Sequence, residues 1–277
     1  MTKSRILLIA AFAFLPVGPL CAGQAGKDRP DSPLFKFPEG KRCALSLSFD
    51  DGRPSQIENG VPLFERYGVK ATFYVNPDSV KKNPEGWKQA AAKGHEIGNH
   101  SMTHPCTGNK PFSRKNAVED LTLERMREEM LAANSFLKEQ LGVTVRTFAY
   151  PCGQSFVGRG RNVQSYVPLV AELFLAGRDW LNEDPNDPFF LDPAQVLSIS
   201  IDRLDFDRIR PQIERSIKRG AWLVLAGHDI SNRDSATRIS MLEELLKYVQ
   251  DPSNGVWVDT IQNVASYILK QREMPSR

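Results

Sequence analysis

Short apolar runs alternate with amphipathic stretches along most of the chain, and this alternation predicts the secondary structure. The apolar runs predict strands at 44–49, 71–75, 96–98, 146–149, 174–176, 196–201, 222–226 and 256–258. The stretches with helical periodicity predict helices at 57–67, 85–93, 117–141, 163–173, 206–219, 236–249 and 260–271. Several of these helices end in a basic residue followed by glycine, as at Lys93-Gly94 and Arg219-Gly220, which is typical of helix C-termini.

The regular order of strand and helix indicates a parallel sheet in an α/β fold. The strands are short and apolar, which suits a closed barrel, and 277 residues are enough for one large domain. Candidate polar residues follow the ends of strands, where barrel enzymes build their sites. We therefore expect one TIM-barrel-like domain with no internal repeat.

Composition and charge agree with a globular protein. Hydrophobic residues make up 41% and charged residues 25% of the chain, and the net charge is +3. Lys3 and Arg5 lie in a predicted leader without acidic residues, so subtracting these 2 charges leaves +1 for the mature chain. No basic field points to nucleic acid or to a strongly anionic polymer as a partner.

The two ends of the chain are predicted to lie outside the catalytic domain. Residues 1–22 resemble a secretory signal peptide, with a basic start, an apolar run too short to span a bilayer, and cleavage after Ala22 or Ala25. We expect an exported protein without a transmembrane span. A lipid anchor at Cys21 is the minor alternative, because Leu20 is larger than the residue such sites prefer. Residues 23–39 are predicted as a flexible lead, 40–271 as the catalytic domain and 272–277 as a tail.

Two short motifs supply the residue types of a metal site. Asp50 and Asp51 end an apolar strand just before Gly52, which permits a turn there. His100 and His104 are four residues apart, so on a helical turn they would lie on one face and bind one cation. Two imidazoles and a carboxylate form a mixed nitrogen and oxygen site that suits zinc and some other divalent metals.

These motifs resemble those of the polysaccharide deacetylases, the NodB-homology or carbohydrate esterase 4 family. The residues from Ser48 to Gly52 match the family's first motif, and those from His100 to His104 match its second. A third motif resembles residues 148–153, and the last resembles Leu225 to His228. The resemblance covers roughly residues 40–265 and implies a distorted (β/α)7-type barrel.

The resemblance also implies a site and a reaction. Asp51, His100 and His104 would hold one divalent ion, for which zinc is the expected identity. Asp50 would act as the general base and His228 as the acid that protonates the departing sugar amine. The backbone N–H near Cys152 would help the metal to stabilise the oxyanion. The implied partner is an acetylated glycan, and we expect a monomer.

Two positions depart from the family pattern, which indicates a divergent member. The third motif normally carries an arginine that orients the base, but Ala149 stands there, and Arg178 is a candidate replacement. In the last motif, Ala226 replaces a leucine that lines the acetyl pocket. Arg178-Asp179-Trp180 is either the family's fourth motif or a surface loop. Tyr150 and Trp222 are either sugar-binding residues or core, and Arg178 is also a candidate substrate contact.

The remaining cysteines and His95 leave several arrangements open. After cleavage the chain keeps Cys43, Cys106 and Cys152. A Cys106–Cys152 bridge, a thiol on the metal and simple packing are all compatible with the sequence, and packing is the favoured interpretation. His95 is interpreted as a hydrogen-bonded histidine that supports the site. The charged helical stretch around 119–129 is interpreted as a solvated face.

Two other functions compete with N-deacetylation of an N-acetylhexosamine glycan. An O-acetyl carbohydrate esterase could use the same centre, and a non-catalytic carbohydrate-binding relative could keep the fold. A zinc peptidase is excluded, because its motif requires glutamate where Ser101 follows the first histidine. The sequence does not distinguish peptidoglycan, chitin-like oligomers and other N-acetylhexosamine polymers as substrates.

Overall fold

The computed structural model describes residues 34–273, in which strands and helices alternate as the sequence predicts. The strands are β1 (Cys43–Phe49), β2 (Thr72–Val75), β3 (Glu96–Asn99), β4 (Thr147–Ala149), β5 (Phe156–Val157), β6 (Gln164–Ser165), β7 (Ala176–Arg178), β8 (Ile199–Ser200), β9 (Trp222–Gly227) and β10 (Val256–Val258). The helices are α1 (Val61–Arg66), α2 (Pro77–Lys82), α3 (Pro84–Ala92), α4 (Leu123–Leu141), α5 (Val167–Leu173), α6 (Phe206–Arg219), α7 (Ile239–Gln250) and α8 (Ile261–Glu273).

The main sheet is parallel and curls into a barrel. Its strands follow the order β7-β4-β3-β2-β1-β9-β8, and β10 pairs with the first half of β1. A parallel bridge between Arg178 and Val196 links the β7 edge to the chain that leads into β8. The short strands β5 and β6 form a separate antiparallel hairpin. The predicted distorted (β/α)7-type barrel is confirmed.

Strand β1 shows why the sheet is buried on both faces. Leu45, Leu47 and Phe49 point to one face and join the core formed with the helices. Ser46 points to the opposite face, where its hydroxyl accepts a hydrogen bond from the indole N–H of Trp222 at 3.0 Å. Side chains alternate in this way along any strand. Both faces are therefore packed, and only the strand ends reach solvent.

Several predicted element boundaries need correction. The predicted strand at 174–176 lies at Ala176–Arg178, and the predicted helix at 117–141 begins only at Leu123. The side chain of Thr122 accepts a hydrogen bond from the Arg125 N–H and so caps α4 at that point. The sequence interpretation also missed α2, which has six residues and is too short to show a helical period.

The end of the predicted flexible lead packs on the barrel. Phe35 and Phe37 are buried, and their rings contact Tyr267 and Trp257 respectively. The prediction of a flexible lead is therefore wrong for these residues. Helix α8 also continues to Glu273, beyond the predicted domain end. The predicted signal peptide, Cys21 and the end of the predicted tail lie outside the described residues.

Within residues 34–273, no helix combines the length and the apolar character that crossing a membrane requires.

Candidate metal and catalytic site

The predicted site residues meet at the carboxyl ends of three strands. Asp50 and Asp51 follow β1, His100 follows β3, and His228 follows β9. Because β2 separates β1 from β3 and β9 borders β1 directly, all three strand ends lie on the same rim of the barrel. Enzymes of this architecture build their active sites on that rim.

The three predicted metal ligands converge on one point. The Nε2 atoms of His100 and His104 are 3.1 Å apart, and Asp51 Oδ1 lies 3.6 and 3.3 Å from them respectively. Ligand atoms held about 2.1 Å from one ion in tetrahedral geometry lie about 3.4 Å apart. The three atoms therefore fit a divalent metal without rearrangement.

A backbone contact fixes the orientation of the first histidine. The Nδ1 atom of His100 lies 2.9 Å from the carbonyl oxygen of Ala149. A carbonyl only accepts, so Nδ1 must carry the proton and Nε2 keeps its lone pair free. Such a partner is typical of histidines that bind metals.

The histidine loop differs from the predicted helical turn. Residues 100–105 are irregular, and Ser101 and His104 both have positive φ, at 61° and 53°. The Ser101 hydroxyl accepts a hydrogen bond from the His104 N–H at 2.9 Å, and the Asn99 side chain accepts one from the Ser101 N–H at 2.6 Å. The two imidazoles meet because this loop folds back on itself, so the prediction of one helical face is wrong.

Helix α4 also supports the histidine loop, through hydrogen bonds from Thr103 to Glu129. The carboxylate of Glu129 accepts hydrogen bonds from the N–H and the hydroxyl of Thr103 at 2.8 and 2.9 Å. Glu129 is 3% exposed. The predicted solvated face around 119–129 is therefore wrong at this position, where a buried carboxylate supports the histidine loop.

The charge distribution of the triad favours a cation. Burial acts to raise the pKa of the Asp51 carboxyl, but the hydrogen bond and charge of His100 and the charges of the other histidines hold that pKa well below its usual value. Burial, followed by the neighbouring His100, lowers the pKa of His104 to about 4. At neutral pH the triad is thus one carboxylate and a neutral His104, which are the forms that bind metal.

Arg178 occupies the place left by the missing arginine of the third motif. Its Nη2 donates to Asp50 Oδ1, and the two side chains are 0% and 5% exposed. Arg178 comes from the end of β7, which pairs with β4, the strand that carries Ala149. An arginine on the adjacent strand therefore reaches the same aspartate. The alternative prediction that Arg178 contacts substrate is wrong, because its side chain is buried.

Asp202 is a functional candidate that sequence reasoning missed. Its Oδ2 lies 2.7 Å from Nδ1 of His228, and its Oδ1 accepts hydrogen bonds from the His228 N–H and the Thr237 hydroxyl. Burial acts to lower the pKa of His228, but the Asp202 hydrogen bond and nearby carboxylates raise it overall. The signal in the sequence was weak: an aspartate just after the predicted strand 196–201, outside any contiguous motif.

Gln56 links the two sides of the site. Its Nε2 donates to the carbonyl oxygens of Asp50 at 2.6 Å and of His228 at 2.9 Å. Gln56 is fully buried and begins a π-helical turn that runs to Gly60. Such turns are common at functional sites. β1 and β9 are already paired along their length, and this side chain extends the link to the residues that follow the two strands.

Two predicted sugar-binding aromatics are core residues. Trp222 is 0% exposed and donates to Ser46 inside the barrel. Tyr150 is 2% exposed, and its hydroxyl donates to the Ala194 carbonyl at 2.7 Å. The prediction that they line a sugar subsite is wrong. Trp180 lies in the pocket instead, with its ring 4.8 Å from the His228 ring.

His95 is structural but lies far from the site. It precedes β3, whereas His100 follows the other end of that strand. Its Nδ1 accepts a hydrogen bond from the Ala71 N–H at 3.1 Å. Burial, followed by the charge of Lys70, lowers its pKa to about 4. The predicted hydrogen bond is present, but the predicted support of the metal site is wrong.

Two of the three described cysteines form a disulfide beside the site. Cys106 and Cys152 are bridged, with their Cα atoms 5.9 Å apart, and Cys106 Sγ lies 3.7 Å from Nδ1 of His104. The bridge joins the histidine loop to the turn at Pro151–Gly153, which belongs to the third motif. The favoured interpretation of simple packing is wrong for this pair but holds for Cys43, which is free and buried. Burial raises the pKa of the Cys43 thiol to about 12.

The ligand triad opens into two adjoining pockets. The inner pocket has a volume of about 240 Å³ and is lined by Asp50, Asp51, Arg53, His100, His104, Lys110, Phe112, Cys152, Trp180 and His228. The outer groove has a volume of about 710 Å³ and runs past α2. Both are bordered by Asp51, Arg53, His104 and Phe112. An extended ligand could therefore pass from the groove to the metal triad.

The comparison with known proteins decides the family. The family model described as polysaccharide deacetylase matches residues 38–167, a span that includes Asp51, His100 and His104. The chain belongs to the polysaccharide deacetylase family. The peptidoglycan-N-acetylglucosamine deacetylase PgdA of Listeria monocytogenes is 34% identical over 113 residues, which cover 36% of this chain and 24% of PgdA.

A further sequence relative and a solved structure are also similar to this chain. Chitin deacetylase 1 of Cryptococcus neoformans is 28% identical over 144 residues, covering 51% of this chain and 28% of that protein. The chain thus spans about a third or less of the length of the curated relatives it matches. The solved structure of a probable polysaccharide deacetylase from Pseudomonas aeruginosa PAO1 has a TM-score of 0.64 and 18% identity, covering 90% of this chain and 97% of that one. This likeness supports the barrel fold of the family.

Proposed function

We propose that the protein is a metal-dependent hydrolase that removes N-acetyl groups from an N-acetylhexosamine-containing polysaccharide or oligosaccharide and releases acetate. One observation carries the proposal: three ligand atoms converge within 3.6 Å beside an aspartate and a histidine that face the same pocket. The names of PgdA and chitin deacetylase 1 support an N-acetylated glycan as the substrate class.

Asp51, His100 and His104 would hold the ion, and their mixed nitrogen and oxygen donor set suits zinc. A divalent cation supplies Lewis-acid polarisation of the acetamide carbonyl and makes water more acidic. The close fit of the three atoms supports this assignment. Asp51 reaches them because the backbone turns at its positive φ of 70°, directly after β1.

Asp50 serves as the general base that takes a proton from the attacking water. Arg178 fixes this carboxylate through Oδ1 and leaves Oδ2 as the acceptor for that proton. Gln56 holds the backbone of the same residue. The base is therefore positioned by one buried cation and one buried amide, and both act through Asp50.

His228 serves as the general acid for the sugar amine, which leaves poorly unless it is protonated. Asp202 holds the Nδ1 side of the ring and leaves Nε2 directed to the pocket, where His228 faces Asp50 and Asp51. The raised pKa of His228 keeps the imidazolium form available near neutral pH. Cys152 also lines the pocket, and the backbone N–H near it is assigned to the developing oxyanion.

An exported location and the predicted domain limits belong to the same proposal. Residues 1–22 have the composition of a secretory signal. The Cys106–Cys152 bridge supports export, because disulfides persist in oxidising compartments. The catalytic domain then comprises residues 40–271 together with the packed residues Phe35 and Phe37 and the last turn of α8.

A panel of acetylated glycans tests the function. Acetate release is measured from chitooligosaccharides, peptidoglycan fragments and O-acetylated xylan, with purified protein supplied with zinc. Release from an N-acetylated substrate, lost in the Asp50→Asn variant, supports the proposal. Release from the O-acetylated glycan alone would establish the esterase alternative. Binding to these glycans with no acetate release would establish a non-catalytic carbohydrate-binding protein.

A further inference from the structure

The inner pocket carries cationic side chains that the deacetylation chemistry does not use. Arg53 and Lys110 both line it, together with the exposed ring of Phe112. Asp50 is paired with Arg178, so it does not neutralise them. Among residues 34–273, the ion pairs include no carboxylate for Lys110, and its Nζ lies over the Phe112 ring, 6.0 Å from the ring centroid.

Arg53 keeps most of its donors available. Its Nη2 contacts Asp51 Oδ2 at 2.8 Å, and its side chain is 49% exposed. The other oxygen of Asp51, Oδ1, faces the two imidazoles, so Arg53 and a metal can use different oxygens. A guanidinium has five N–H donors in a fork that suits a carboxylate. With a divalent ion also present, the inner pocket carries net positive charge.

The loop that presents Lys110 and Phe112 is held in place. The Cys106–Cys152 bridge fixes its start. The Ser113 side chain accepts from the Cys106 N–H at 2.8 Å and donates to its carbonyl at 2.9 Å. The backbone that carries Lys110 and Phe112 is thus held on both sides, at Cys106 and at Ser113.

Phe112 provides an apolar surface at the junction of the two pockets. Its side chain is 71% exposed, although it lines both cavities. A large apolar ring left exposed at a pocket mouth is suited to contact the apolar face of a ligand. A pyranose ring offers such a face, and Lys110 lies beside it.

We propose that the pocket selects an acetylated sugar that carries a carboxylate, on that sugar or on the adjacent one, with Arg53 and Lys110 binding the carboxylate and Phe112 contacting the ring. This inference rests on the deacetylase function proposed above. The outer groove carries Glu58 and Asp78 as well as Lys82, so the positive excess is confined to the inner pocket. Recognition of one local carboxylate needs no basic field over the whole protein.

The experiment compares matched acidic and neutral substrates. The neutral probe is an N-acetylglucosamine tetrasaccharide. One acidic probe alternates N-acetylglucosamine with glucuronate, and the other contains N-acetylmuramic acid, whose lactyl carboxylate is on the acetylated sugar. Each partly exposed ion pair should contribute a factor of about two to five, so kcat/KM for acetate release should be about tenfold higher for one acidic probe. The preference should shrink in 0.5 M salt.

Variants on the same loop supply the control. Lys110→Gln should lower the ratio of acidic to neutral kcat/KM about threefold, whereas Lys110→Arg should preserve it. Lys115→Gln removes the same charge from an exposed position of that loop and, being absent from the lining of both pockets, should leave the ratio unchanged. A ratio near one in the unmodified protein, or equal effects of Lys110→Gln and Lys115→Gln, would overturn the inference.

A binding measurement separates this inference from the proposed function. Calorimetric titration of the zinc-loaded Asp50→Asn variant with each tetrasaccharide reports affinity without turnover. Tighter binding of an acidic probe supports carboxylate recognition even if no acetate is released. Equal affinities for all three probes contradict it even if deacetylation is established.

Discussion

The pairing of Asp202 with His228 gives the sharpest mechanistic prediction. Asp202→Asn keeps the size of the side chain but removes the charge that raises the pKa of His228. The pKa of His228 should therefore fall, and the imidazolium should be lost at lower pH. If His228 is the acid, the alkaline limb of the kcat/KM profile for amide substrates should move to lower pH.

The size of the rate loss follows from the contact. The Nδ1···Oδ2 distance is 2.7 Å, and a hydrogen bond to a charged group contributes about 1.5–3 kcal/mol. At about 1.36 kcal/mol for each factor of ten in rate, the loss would be about 10- to 150-fold. The His228 side chain is 33% exposed, so solvent screening places the expected loss in the lower half of that range.

The assay follows acetate release across pH from an N-acetylated oligosaccharide and from an activated aryl acetate. The ester leaving group needs little protonation, so Asp202→Asn should slow the amide more than the ester. Asp207→Asn, which removes the same charge from a side chain that is 86% exposed, is the control. If the alkaline limb stays in place while metal content and folding are normal, or if both substrates slow equally, Asp202 does not act through the acid.

Three further predictions concern other residues. Asp50→Asn should keep the metal and lose about 10²–10⁴-fold in rate, whereas Asp51→Asn should lose metal affinity itself; equal metal loss in both, measured by elemental analysis, would contradict the division of roles. Gln56→Leu removes the shared donor of the Asp50 and His228 carbonyls. The buried Asp50 carbonyl then loses its partner, which should cost about 1–3 kcal/mol in stability and lower kcat more than it raises KM; unchanged unfolding and kcat would refute the bridging role. The folded pKa of His95 is about 4 against an ordinary 6.5, so the unfolded chain binds more protons between these values. His95 should therefore contribute a fall of about 3 kcal/mol in stability as pH drops across that interval, and the total fall in His95→Gln, compared by urea unfolding at both ends, should be smaller by that amount.

The convergence of Asp51, His100 and His104 could be predicted from the sequence because these residues lie in short contiguous motifs at the ends of apolar strands. Asp51 and His100 are placed by strand endings that hydrophobic patterning reveals. The path between the histidines could not be predicted in the same way. It depends on positive φ angles at Ser101 and His104, which local hydrogen bonds and the neighbouring disulfide support rather than any helical period.

The residues that contact Asp50 and His228 could not be predicted with the same certainty, because they come from other strands, far away in the sequence. Arg178 lies 128 residues from Asp50, and Asp202 lies 26 residues before His228. Such pairs become visible only when the strand order is known. Trp222 failed as a sugar-binding candidate because it begins β9, at the opposite end of the strand from His228, and donates to Ser46 inside the barrel. Tyr150 failed because its hydroxyl donates to the Ala194 carbonyl in the core.

In the proposed function, a divalent metal held by Asp51, His100 and His104 is required for deacetylation. The most direct measurement removes metal with a chelator, adds zinc back in steps, and records bound metal and acetate release from an N-acetylated oligosaccharide together. We predict that acetate release is lost in metal-free protein and returns in proportion to binding, with saturation at one ion per chain, and that His100→Ala neither binds the ion at that stoichiometry nor recovers activity. Full activity in metal-free protein, or normal stoichiometry and turnover in His100→Ala, would contradict the claim.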